Sequence, residues 1–289
     1  MRLSTLLSSF TLGAVIALSA STAEAQRRGR PQHDDDGADY PMPYAQRPLT
    51  LPRMVVAPEL DFMATRYALG TYSTVPTGIN IGASFGITRD LEVGALFLPV
   101  QFAPRVAYGL AAGAQGNLQF FGTYRFVRHR DIEVGVRIRT SIITEPGAGA
   151  IIEGSIPLLF HFGRGVRLDA ELGVPITVAA SNLATPNAPT QTYVGINLPL
   201  ALSFNVIAPL YLGVKTGIVI DDLTRPKEFA SIPLGIYMGY SIGRDKPILD
   251  LVPFFTWSRF LTPGGGLGNE RVNAGLFTTG ITARGYIYL

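Results

Sequence analysis

From residue 79 the chain alternates apolar and polar positions over long stretches. Ile79, Ile81, Ala83, Phe85 and Ile87 fall on one parity, and Asn80, Gly82, Ser84, Gly86 and Thr88 on the other. Successive side chains of a strand point to opposite faces, so such a segment predicts a strand with one greasy side and one small, polar side. The division returns. Leu118, Phe120, Tyr124 and Phe126 oppose Asn117, Gln119, Thr123 and Arg125; Ile132, Val134, Val136 and Ile138 oppose Glu133, Arg137, Arg139 and Ser141; Ile152, Ile156 and Leu158 oppose Glu153, Ser155 and, further on, His161. It continues through Leu168–Ile176, Val194–Phe204, Leu212–Ile218 and Ile232–Met238. A first strand from about Val56 to Leu69 has no cleanly apolar parity, and one near Leu249–Trp257 is apolar on both.

Short charged turns punctuate the pattern. Thr88-Arg89-Asp90-Leu91-Glu92-Val93-Gly94 is nearly copied at Arg130-Asp131-Ile132-Glu133-Val134-Gly135, and related segments follow at Leu168–Gly173, Pro209–Gly213 and Ile248–Val252. Taking Glu92, Glu133, Glu171, Tyr211 and Asp250 as equivalent gives a period of about 40 residues, enough for two strands, a tight turn and a longer return. One strand before, two around each turn and one after predict about twelve. An even count brings both ends of the barrel to one side, the side of the short turns. Prolines 157, 175, 199, 233 and 253 fall inside these strands, where bulges must absorb the lost ladder bonds.

No helix is predicted to cover either face, leaving a soluble two-sheet sandwich or a closed barrel. A sandwich shows its polar faces to water, where Lys, Arg and Glu abound; here they are rich in Gly, Ser, Thr and Asn, which suits a confined lumen. In a bilayer an unpaired sheet edge has no water to satisfy it, so the sheet must close. The expected fold is all-β, a closed antiparallel transmembrane β-barrel of about 12 strands with short periplasmic turns.

Composition agrees. The chain is 47% hydrophobic and 16% charged, with 32 Gly and mean hydropathy +0.26, apolar for an exported protein and low in charge. Arg2, an apolar run from Leu6 to Leu18 and Ala23-Glu24-Ala25 read as a cleavable signal peptide over residues 1–25. The run is too short for a membrane helix. Residues 26–52, with Arg27, Arg28, Arg30, an Asp34-Asp35-Asp36 run and several prolines, are expected to form a disordered periplasmic segment, and 53–289 the barrel. With Cys 0, neither disulfides nor a lipid-anchoring cysteine is present. The net charge of +3 without dense basic clusters argues against nucleic acid. The Asp run lacks the later ligands of a calcium loop, so neither a metal nor a cofactor is expected.

The closing segment alternates Phe277, Thr279, Ile281, Ala283, Gly285, Ile287 and Leu289 against Thr278, Gly280, Thr282, Arg284, Tyr286 and Tyr288. It resembles the C-terminal strand by which bacterial outer-membrane β-barrel proteins are recognised by their insertion machinery, although Leu289 stands where Phe is usual. The charged turns resemble those of porin-like barrels, and the resemblance runs from about Arg53 to Leu289 without singling out one family. It implies the outer membrane of a Gram-negative bacterium, surrounding lipids and the insertion machinery as partners, and passage of small polar solutes.

Inward-facing charges are the candidate site. Arg125, Arg137, Arg139, Glu153, Lys215 and Arg284 are expected in the lumen, Arg139 and Glu153 opposite each other as a salt bridge, and Arg137 and Lys215 without a local partner and so available to an anionic solute. Inward glycines would keep the interior open, and the Ala/Gly-rich loop 103–114 is placed to fold inward; the other long loops are 181–192, 221–230 and 261–272. The expected function is a porin-like channel for small polar, anionic solutes and not an enzyme. Alternatives are an occluded structural or adhesive barrel, and a hydrolase in which His161 faces Asp169 with Ser203 nearby. Gly82-Ala83-Ser84-Phe85-Gly86 lacks the strand-to-helix elbow of a nucleophile motif, and Gly264–Gly268 lacks the strand-to-helix context of a phosphate cradle.

Overall fold

The computed structural model describes residues 40–69, 72–74, 77–101, 117–143, 149–179, 191–226, 230–262 and 276–289, all within the compact unit Asp35–Leu289. The expected signal peptide, the tail through residue 39, the loop 103–114 and Gly264–Gly268 lie outside them, as do parts of the other long loops.

Twelve antiparallel strands form the wall: β1 (Val55–Leu69), β2 (Thr77–Thr88), β3 (Leu91–Gln101), β4 (Asn117–Arg128), β5 (Ile132–Ile143), β6 (Gly149–Phe162), β7 (Val166–Ala179), β8 (Gln191–Val194 and Ile196–Ile207), β9 (Leu210–Ile220), β10 (Ala230–Gly243), β11 (Pro247–Leu261) and β12 (Phe277–Gly285, then Ile287–Tyr288). A short Tyr72–Thr74 segment folds back on the end of β1. Each strand pairs with the next, and β12 returns to β1 from Glu59↔Arg284 to Arg66↔Phe277, so the sheet has no free edge. The soluble sandwich is thereby excluded.

The short turns follow from local chemistry. At Arg89-Asp90 the Thr88 Oγ1 accepts from the amides of Asp90 (3.2 Å) and Leu91 (3.0 Å), closing the turn with a side chain. Gly163 takes φ +67 in the turn between β6 and β7, a conformation open to glycine at no steric cost. The prolines act as expected at Pro233, beside which the β10–β11 register shifts between Ile232 and Leu234.

Parity sorts the wall. Ile81, Ile138 and Ile236 point outward and are 52%, 52% and 55% exposed, part of an apolar belt too extensive for a water-facing surface and suited to lipid. Inward positions hold Ser84, Thr123, Ser155, Ser203 and Ser241, all buried. Inward glycines do not simply widen the lumen. Gly213 lies under the Tyr237 ring and Gly239 under Tyr211, where a Cβ would enter the neighbouring ring, so these glycines exist to let tyrosines lie flat on the wall.

One expectation is overturned. Residues 26–39 lie outside the described structure, but Tyr40–Pro52 is not a disordered tail: it sits inside the mouth at the short-turn end of the barrel, with Ala45 0%, Arg47 1%, Thr50 1% and Leu51 2% exposed. Its physical basis lies in the wall around it.

Candidate functional site

The short turns deliver one inward side chain near the start of β3, β5, β7, β9 and β11: Glu92, Glu133, Arg167, Tyr211 and Asp250. In the third repeat the position belongs to Arg167, not Glu171, which lies deeper; the two differ by four residues, so parity is kept. All five touch Tyr40–Leu51. Glu92 Oε2 accepts from the Leu51 amide at 2.9 Å and Glu133 Oε2 from the Leu49 amide at 2.9 Å. Arg167 Nη1 donates to the Arg47 carbonyl at 2.9 Å. Tyr211 stacks on Tyr44, ring centroids 4.2 Å apart, and Asp250 pairs with the Arg47 guanidinium. Acids thus meet amides and a base meets carbonyls, as a buried extended backbone requires.

Arg47 is the centre of this contact. Nη1 also donates to Tyr286 Oη (3.2 Å), Nη2 to Ser241 Oγ (2.7 Å) and the Met42 carbonyl (3.1 Å), and Nε to the Pro41 carbonyl (3.1 Å). A buried guanidinium is tolerated when paired and fully hydrogen-bonded. Around it, Asn205 Oδ1 accepts from the Ala45 amide (2.8 Å), and His161 Nδ1 lies 2.7 Å from the Ala45 carbonyl. Burial pushes the Tyr44 phenol above its ordinary range, with Arg167 acting in the opposite direction, so the ring stays neutral against Tyr211.

Above this floor is a cavity of about 620 Å³. Its wall carries Arg47, Arg137, Arg139, Arg167, Lys215 and Arg284 against Glu59, Glu92, Asp169 and Glu171, six positive groups to four negative. Arg139 Nη1 meets Glu153 Oε2 at 3.0 Å across the β5–β6 register counted from the connecting loop. Arg137, expected without a partner, reaches over β6 to Glu171 at 2.7 Å and donates to Thr123 Oγ1. Arg125 is held in the mouth by Asp90 (2.7 Å) and Glu133 (2.8 Å). Arg284 donates to Ser84 Oγ at 3.0 Å and stands 3.7 Å from Glu59. Lys215 differs: among the described residues it makes no ion pair, and its Nζ lies 5.0 Å from the Phe254 ring centroid. Of the buried polar atoms without a hydrogen-bond partner among the described residues, Glu153 Oε1 and Thr256 Oγ1 belong to this upper wall, and Arg284 Nε lies lower, Arg284 being in register with Asp250.

The Ser-His-Asp grouping is not assembled. His161 pairs in register with Arg167 rather than Asp169; Asp169 is engaged by Arg167 at 2.7 Å; Ser203 Oγ bonds Tyr237 Oη at 2.5 Å. Among the described residues no group of His, Cys, Asp and Glu is placed to hold a metal ion. Sequence reasoning missed Tyr44, Arg47 and Arg167. The available signal was compositional: after the acidic run the chain turns at Tyr40 to Tyr-Pro-Met-Pro-Tyr-Ala-Gln-Arg, aromatic and apolar with a single charge.

No family model matches the chain, and no curated protein matches its sequence. Among solved structures, the NanC porin aligns with TM-score 0.55 at 9% identity, covering 79% of this chain and 100% of that one. The COG4313 outer membrane channel from Pseudomonas putida F1 aligns with TM-score 0.52 at 12% identity, covering 89% and 100%. At these identities the likeness is one of fold, and the fold is that of outer-membrane β-barrels.

Proposed function

We propose that this chain is an outer-membrane channel through which small polar, anionic solutes diffuse passively. The observation that carries the reading is the cavity of about 620 Å³, lined by six positive and four negative side chains. Twelve strands lie between the filled eight-stranded barrel and the wide sixteen-stranded pore. Lys215 is the group left to a solute, because Arg137, Arg139 and Arg284 already face carboxylates. Similarity of fold to two outer-membrane channels supports the reading. On this reading the chain is exported by its leader, delivered to the insertion machinery by its last strand, and bathed in outer-membrane lipid. Currents across planar bilayers test it: a stable conductance with an anion-biased reversal potential is expected. A folded barrel silent at all voltages, with Arg47 intact or replaced, overturns it.

A second reading has its own observation. The segment lying in the periplasmic mouth favours an occluded barrel with a structural or adhesive role, in which the cavity is a blind pocket.

A further inference from the structure

We infer that Tyr40–Pro52 is a tethered plug, keyed by Arg47, and that conduction through the barrel requires it to leave the periplasmic mouth. The inference rests on the channel reading and names the regulation of that channel.

The segment binds the wall as a separate ligand would. Its own described backbone–backbone bonds are confined to one tight turn, Gln46 to Pro43 and Arg47 to Tyr44, whereas the Ala45, Leu49 and Leu51 amides and the Arg47 carbonyl are met by side chains of the barrel. Prolines 41, 43, 48 and 52 have no amide to satisfy in either place and pre-set an extended chain. Leaving the mouth therefore exposes few donors and requires no unfolding of a helix or strand.

The tether is equally specific. Met54 joins the segment to β1 at φ 59, the described non-glycine residue with positive φ. Its amide donates to the Gly86 carbonyl and its carbonyl accepts from the Leu289 amide, so the barrel holds one side of a strained joint while the segment departs on the other. The wall needs nothing from the segment to remain closed, since every strand pairs with its neighbours. Once vacated, Glu92, Glu133, Arg167 and Asp250 would ring an aqueous opening where water replaces the segment.

The chain has no cysteine, so Ala45→Cys introduces a single thiol at a fully buried position of the segment. Full-length barrels with and without Arg47→Ala are compared for bilayer current and for labelling by a membrane-impermeant thiol reagent. Arg47→Ala is expected to raise both the open fraction and the labelling rate at least tenfold, and Arg53→Ala, at an exposed residue outside the mouth, to change neither. Equal currents in both proteins with the thiol unlabelled overturn the plug and leave the channel standing. Faster labelling without current overturns the channel reading and the gate with it. If Arg47→Ala does not yield a heat-modifiable barrel, Tyr44→Ala, which removes the stack on Tyr211, is read by the same outcomes.

Discussion

The mouth at the short turns and the lumen above it are built from the same strands and the same residue types, yet they close their accounts differently. In the mouth each charged group has its partner: Arg47 with Asp250, Arg125 with Asp90 and Glu133, and Arg167 with Asp169. Higher up, among the described residues, Lys215 has no ion pair and Glu153 Oε1 and Thr256 Oγ1 have no hydrogen-bond partner. Buried polar groups cost little when satisfied and much when not. Complete pairing therefore marks a region that holds shape, and incomplete pairing one that meets water or solute.

The contrast is broken most directly at Arg125. Its side chain is 2% exposed between two carboxylates, so Arg125→Ala takes the nearest cation from both Asp90 and the buried Glu133 and is expected to cost about 3–5 kcal/mol in denaturant unfolding of the detergent-solubilised barrel. A loss below about 1 kcal/mol would mean the mouth is not the structural region. Next in size is the wall both regions share. Ile138 lies outward between the inward Arg137 and Arg139, and Ile138→Arg at the bilayer midplane is expected to cost about 2–4 kcal/mol. Equal tolerance of arginine on both faces would undo the inside/outside assignment. Tyr44→Ala gives up a stacked pair worth about 0.5–1.5 kcal/mol beyond its area; a double-mutant cycle with Tyr211→Ala isolates that value, and a coupling near zero would show that the segment is held by Arg47 without help from the ring.

How much of this was legible depended on the range of the interaction. Period-2 alternation is local, so the apolar parity of β2, β4, β5 and β6 and the count of strands followed from neighbours in sequence. Arg139 and Glu153 were legible because hairpin register fixes who stands opposite whom. Arg137 and Glu171 were not, since their contact skips a strand. The repeat located the ring of the mouth but placed its third member at Glu171, because Leu168-Asp169-Ala170-Glu171 imitates the turn motif while the actual turn at Gly163–Gly165 sets Arg167 at the matching depth. Tyr40–Pro52 has no periodicity to read; its side-chain hydrogen bonds with the wall join residues at least 39 positions apart, as between the Thr50 hydroxyl and the Arg89 carbonyl, and low periodicity alone does not separate such a segment from a disordered one.

The smallest stability effect sharpens the contrast furthest. Lys215 holds its ammonium over Phe254 and rests its stem above Gly235, whose Cβ would lie 2.8 Å from Lys215 Cε. Replacing it with glutamine removes a cation that no described carboxylate neutralises at close range, so no acid is stranded and unfolding free energy is expected to move by less than about 0.5 kcal/mol. The reversal potential, in contrast, is expected to shift toward cations, and to shift further with Lys215→Glu, because a charge in a narrow low-dielectric lumen acts strongly on permeating ions. Arg125→Ala should show the opposite split, a large loss of stability with little change in ion preference. If Lys215→Gln destabilises the barrel as Arg125→Ala does while leaving the reversal potential untouched, the upper lumen is structural too, and the anion preference has no residue to rest on.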